Sequence, residues 1–308
     1  MISASDLAVA RKVLLRRARL LVDQHGVPDL MLSGGVDSAT ILFALLDLGV
    51  KPRCVTFGLG DTVSTDMAVS SAICAHFGVE HEVVGVPRND DALLDDVLWT
   101  LAAVRWELAP RIKKTIVQCV HPMRYAYPAV GDFALFGLTG DQFFRTSAQE
   151  MRNDHRFGWQ AMSHNRQSDC HQPEYSDYHI MDVGRRLYRK TVEDFYDFDA
   201  WGAWVQQFPT PETNRPLQKY PAVAAFESYW RQGNWYRPNS PYQINSGLRA
   251  YHDTLLAHPR FAALKAKGVI AIYNRLAAEM GIYAGGSYTP SVLKPALRWD
   301  DFKDEWLA

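Results

Sequence analysis

Leu30-Met31-Leu32-Ser33-Gly34-Gly35-Val36-Asp37-Ser38 is the stretch on which the fold turns. Leu30-Met31-Leu32 is a short apolar run that reads as a buried strand. It breaks into two adjacent glycines, which let the backbone bend sharply and approach a ligand with no Cβ in the way. Residues 39–48 then carry Ile41, Leu42, Leu45 and Leu46 on one side, the spacing of a helix. A loop between strand end and helix start meets unpaired N–H groups and the positive end of the helix dipole, and Ser33 and Ser38 add hydroxyl donors. Residues 33–38 therefore read as an anion cradle suited to phosphate. Asp37 would repel a bare phosphate. It is explained if Mg²⁺ lies between carboxylate and phosphate, because that ion takes oxygen ligands. No lysine follows the glycines, so γ-phosphate transfer of the mononucleotide-loop kind is not indicated, and the G-x-G-x-x-G dinucleotide fingerprint is absent. The bland alternative is a Gly-Gly turn capped by Asp and Ser, with no ligand.

Outward from this loop the chain keeps a regular rhythm. Gly49 closes the first helix and Pro52 marks the connection onward. Residues 53–57 read as a second strand, 66–77 as a helix ended by Gly78, and 82–86 as a third strand ended by Pro87. A long helix over 90–108, another over 112–120 and an apolar strand over 133–137 follow. This is the βαβαβ order of an α/β doubly wound parallel sheet. The expected division is an N-terminal helix over 1–27, a nucleotide-binding α/β unit over 28–150, a polar loop or lid over 151–184 and a mostly helical part over 185–308. The N-terminal helix reads as a capped surface helix, with Ser5 as the cap and Asp6 at its positive end.

Composition narrows the class. Hydrophobic residues make up 47% of the 308, enough for a sizeable core, and the net charge is −1. That balance argues against a general nucleic-acid binder without excluding a local basic patch. Cys54, Cys74, Cys119 and Cys170 form no C-x-x-C pair, which fits a reducing cytoplasm better than a zinc or dithiol motif. No run of about 18 apolar residues occurs, so no membrane span is expected.

Leu32-Ser33-Gly34-Gly35-Val36-Asp37-Ser38 resembles the pyrophosphate-binding loop (PP-loop) of the N-type ATP pyrophosphatases, an adenine-nucleotide α-hydrolase-like family. Val55-Thr56-Phe57-Gly58, Asp66, Ala68, Ala72 and Phe77-Gly78-Val79-Glu80-His81 are similar to the second βαβ step of the synthetase domain of asparagine synthetases. Leu135-Phe136-Gly137-Leu138-Thr139-Gly140-Asp141-Gln142-Phe143-Phe144 resembles that family's second site motif. The resemblance covers roughly 28–150. It implies ATP as cofactor, with Leu32, Ser33, Gly34, Gly35, Val36, Asp37, Ser38, Thr56, Phe57, Gly140 and Asp141 around the nucleotide. It also implies Mg²⁺ on Asp37 and Asp141, and catalytic work for these two and a lysine of the helical part. Lys219 is the first candidate for that lysine. Two readings stay open for it: a solvated surface lysine, or a cation at the developing phosphate charge. Lys294 is a weaker candidate.

The family's enzymes carry an N-terminal glutaminase domain. Here only about 28 residues precede the first strand, so the amine is expected to be ammonia, an amine-bearing substrate, or ammonia from a separate glutaminase. The reading is an AMP-forming synthetase that joins a small-molecule carboxylate or nucleotide substrate to an amine. Two alternatives are a base-modifying enzyme that aminates or thiolates a nucleotide or tRNA, and a non-catalytic nucleotide-binding protein. Arg145, and Arg111 with Lys113 and Lys114, are secondary phosphate candidates. The last three read rather as a solvated helix face. Asp95-Asp96 and Glu107 read as solvated too, while His121, His155, His164 and His171 read as surface or core histidines. Residues 235–253, rich in aromatics, read as a packed interface, with an acceptor pocket as the alternative.

Overall fold

The computed structural model describes residues 2–60, 62–146, 156, 171–238, 242–286 and 297–308. Its frame is a five-stranded parallel sheet in the order β3-β2-β1-β4-β5. The strands are β1 (Asp29–Met31), β2 (Arg53–Leu59), β3 (His81–Val86), β4 (Phe133–Phe136) and β5 (Thr191–Asp194). Central β1 pairs with β2 on one side (Leu30 opposite Cys54) and with β4 on the other (Leu30 opposite Leu135). The order reverses about β1, so its carboxyl end is the switch point at which such sheets open a crevice for ligands.

Strand residues alternate between two cores, as a period of two requires. Leu30, Leu32, Cys54, Phe133 and Leu135 pack with the helices α1 (Ala4–His25), α2 (Val36–Asp47) and α3 (Thr65–Phe77). Met31, Val55, Ala134 and Phe136 pack with α4 (Asp90–Ala103), α5 (Lys114–Val120) and α6 (Met123–Ala129) on the other face. Helix Val269–Glu279 completes this second layer. Among the described residues, no helix is long and apolar enough to cross a membrane.

Several boundaries differ from the sequence expectation. The cap of α1 is Ser3 rather than Ser5: its hydroxyl accepts from Asp6 N at 3.2 Å while Asp6 Oδ2 accepts from Ser3 N at 2.8 Å. That reciprocal capping box satisfies two orphan N–H groups, which a lone serine cannot. The long helix expected to reach 108 stops at Ala103, and a short 3₁₀ turn, Trp106–Leu108, follows. Thr191–Asp194 adds an edge strand in a region read as helical.

Asp96 is a sharper correction. Read as part of a solvated helix face, it has no exposed surface. Its Oδ1 accepts from Arg124 Nη1 and Tyr125 OH, both at 2.7 Å, and its Oδ2 from His121 Nε2 at 2.8 Å. His121 Nδ1 meets His252 Nε2 at 2.8 Å, and His252 Nδ1 meets Tyr273 OH at 2.6 Å. One proton order satisfies the chain with both rings neutral: Tyr273 donates to His252, His252 to His121 and His121 to Asp96. Burial would raise the Asp96 carboxyl, but the bonds from His121 and Tyr125 and the Arg124 charge hold it below its ordinary value. Burial above all, with the Lys114 charge, holds His252 well below the usual imidazole range.

Both shifts act in the same direction on stability. The neutral His252 favours folding above the ordinary imidazole pKa, and this is lost on acidification, as unfolded chains bind the proton first; the Asp96 contribution disappears lower still. Asp96→Ala should cost about 3 kcal/mol, because it strands Arg124 and His121 without their acceptor. Urea unfolding at neutral pH measures this, and a loss under about 1 kcal/mol would show that the network is not what fixes this layer.

Candidate functional site

The connection at 33–38 is shorter than its sequence suggests: α2 begins at Val36, so Asp37 and Ser38 lie in its first turn. Ser38 Oγ accepts from Ser33 N at 3.1 Å and lies 3.2 Å from Ser33 Oγ, and Ser33 Oγ accepts from Gly35 N at 3.3 Å. Gly34 has φ +69°, and a Cβ there would lie 2.9 Å from Val69 Cγ1 and 3.0 Å from Ser70 N. Only glycine meets both conditions, the left-handed backbone and the close pass over α3. Gly35 caps α2, whose first-turn N–H groups face the crevice end of the sheet. Leu32 and Val36 are buried and anchor the loop at its two ends.

The second motif comes alongside. Beyond β4, Gly137 passes α2 so closely that a Cβ would lie 3.3 Å from Asp37 Cβ. Gly140 opens the short helix α7 (Gly140–Phe144), and a Cβ there would run into the Asp37 carboxylate. These glycines therefore set the approach of Asp141 to Asp37. An unforeseen residue holds the connecting turn: buried Asp194, at the end of β5. Its carboxylate accepts from Leu138 N at 2.5 Å, Thr139 N at 3.3 Å, Tyr196 N at 3.0 Å and the Thr139 hydroxyl. Burial pushes this carboxyl up to about 7, against the pull of the Thr139 hydroxyl. A strand-end aspartate is the only sequence signal for it, and β5 itself was not legible.

Lys219 is not the solvated surface lysine of one reading. Its side chain is only 3% exposed, and Nζ pairs with both Asp37 Oδ2 and Asp141 Oδ1. It sits at φ +58°, at the start of helix Tyr220–Ala225. Asn214 fixes its backbone, accepting from Lys219 N at 3.1 Å and donating to Phe144 O at 2.7 Å. Burial works against the charge of Lys219, but Asp141 and Asp37 outweigh it and the ammonium is held above its ordinary value. Burial pushes Asp37 up to about 6, opposed by Lys219. The Asp37 Oδ1 atom is buried and has no hydrogen-bond partner among the described residues.

The Thr56 hydroxyl bonds Leu32 O at 2.5 Å and lies 3.0 Å from Ser70 Oγ and 2.9 Å from His81 Nε2, so it braces the loop from inside the fold. Phe57 packs partly buried against the second core layer. Arg145 is buried and ends α7 in a left-handed turn. Lys113 donates to Glu174 O, Lys114 pairs with Asp253, and Glu107 pairs with Arg105. Trp235 is buried against Phe43, Phe77 and His76, the packed-interface arrangement. Lys294, Cys170, His155 and His164 lie outside the described residues.

Comparison with known proteins follows the same line. A family described as asparagine synthase matches residues 17–258, well over half of the chain. Similar curated proteins include the 7-cyano-7-deazaguanine synthases of Thermoplasma acidophilum and Polynucleobacter asymbioticus. The first is 33% identical over 70 residues, covering 22% of this chain and 29% of that protein. The second is 38% identical over 65 residues, covering 20% and 26%. The chain thus spans less than a third of the length of these relatives.

Proposed function

The chain belongs to the asparagine synthase family, whose ATP-using unit is of the PP-loop pyrophosphatase type, and from that premise we propose that it activates a carboxylate as an acyl-adenylate and passes it to an amine. The observation that carries this reading is the convergence of the 33–38 loop with Asp37, Asp141 and Lys219 at the switch point of the sheet.

The chemistry assigned to these groups is compact. A carboxylate oxygen of the substrate attacks the α-phosphorus of ATP, the α–β bridging bond breaks, and its electrons leave with pyrophosphate. The loop N–H groups and the Ser33 and Ser38 hydroxyls hold the leaving pyrophosphate, and Lys219 opposes its charge. An amine then attacks the acyl carbon, AMP departs, and the amine proton passes to solvent. Positioning accounts for much of the rate in such a scheme.

The residues present fit Mg²⁺. Asp37 and Asp141 offer hard carboxylate oxygens, and the unpartnered Oδ1 of Asp37 leaves one of them in want of a cation. A bound Mg²⁺ supplies charge neutralisation of the pyrophosphate.

One observation favours a second reading, amination of a nucleotide base: the matching relatives are synthases of a cyano-deazaguanine. For thiolation, Cys54, Cys74 and Cys119 are buried, and Cys170 lies outside the described residues. ATP–pyrophosphate exchange across a panel of carboxylic acids and carboxylated bases separates these. The proposal expects exchange that depends on one acid and yields AMP; production of ADP would contradict it.

A further inference from the structure

The first turn of α3 is a seat for more than the loop. Gly34 passes over Val69 and Ser70, and one turn earlier Asp66 lies almost fully buried, its side chain 9% exposed. Asp66 grips residues that come from far along the chain. Arg237 Nη2 donates to Asp66 Oδ1 at 3.2 Å and lies 3.4 Å from Ser33 O, while Asn245 also bonds the carboxylate. Arg237 therefore reaches the first residue of the anion loop.

The guanidinium is incompletely used there. Its Nε is buried and has no hydrogen-bond partner among the described residues. A buried donor left unpaired costs about 1–3 kcal/mol, and such atoms are rare enough to need a reason. An acceptor brought by a ligand supplies one. The Lys219 charge, by contrast, is shared between two carboxylates, so that cluster alone carries a surplus of negative charge toward a triphosphate.

We propose that Arg237 is a further phosphate-contacting residue of the nucleotide site, with Asp66 as the positioning residue that aims it. This rests on the pyrophosphate-loop reading above and adds to it a donor arm from residue 237. A planar guanidinium keeps fixed N–H directions, so Asp66 on one edge leaves another edge for a phosphate oxygen. Lysine at 237 keeps the charge and loses that fork.

Calorimetric titration with pyrophosphate in magnesium tests this, on the full chain. R237A should bind about 10–100-fold more weakly than the wild type, the range for a lost charged hydrogen bond. R237K should fall between them. D66N should raise the KM for ATP several-fold while kcat for AMP formation stays within about twofold, a split that a merely structural role would not give. Ligand-free melting curves of R237K and D66N identify any variant that fails to fold. Wild-type affinity in R237A overturns the assignment of Arg237 alone. Absence of binding by the wild-type protein overturns the loop reading, and this one with it.

Discussion

Lys219→Met should reduce acid-dependent ATP–pyrophosphate exchange by about a thousandfold, close to 4 kcal/mol at about 1.4 kcal/mol per decade. The expectation comes from where the ammonium sits. It is nearly sealed from water and placed between Asp37 and Asp141, so its field on a leaving pyrophosphate is screened far less than that of a surface lysine. Removal of one preorganised charge stabiliser from a water-poor site typically costs about 10²–10³ in rate. Here the loss is at the upper end, since the two carboxylates are left facing the nucleotide unopposed. Lys219→Arg should not restore activity, because a guanidinium is too broad for a place shaped to a compact ammonium. Steady-state exchange assays with circular dichroism as a folding check decide it. More than a tenth of wild-type exchange in the methionine variant would show that Lys219 is structural.

Gly140→Ala should be nearly as damaging, for a steric reason. The added methyl would occupy the space of the Asp37 carboxylate, forcing that side chain off Lys219 or α7 off α2. Overpacking of this kind costs about 1–3 kcal/mol of stability. The loss of activity should exceed this, at about a hundredfold or more, because the displaced group belongs to the site itself. Gly85→Ala is the matched control: it lies in β3 with nothing within 4 Å of the added Cβ. That variant should keep both stability and exchange. An active, normally melting Gly140→Ala protein would mean that Asp37 and Asp141 need not stay in register.

The parts of this fold that could be read from the chain are those whose causes are local. The β1 strand, the double glycine and α2 follow from an apolar run, a backbone requirement and a helical period within about twenty residues. The opposite holds for Asp96, where acidic residues at helical spacing look solvated. Its burial is decided by Arg124, Tyr125 and His121, which lie 25 to 29 residues away. Lys219 meets Asp37 across 182 residues, so no local pattern could choose between surface and site. The four-residue β5 is too short to show a period, and its pairing with β4 makes it a strand. Thr56 has a long-range role of the same kind: its hydroxyl ties the loop to α3 and β3 through Leu32, Ser70 and His81.

The central claim is spatial, and a crystal structure of the protein with magnesium and α,β-methylene ATP tests it most directly. The account predicts the β- and γ-phosphates on the N–H groups of residues 33–38, with the α-phosphorus open toward the acyl substrate. A triphosphate bound elsewhere, or turned so that its γ-phosphate points out of the loop as the reactive end, would contradict it.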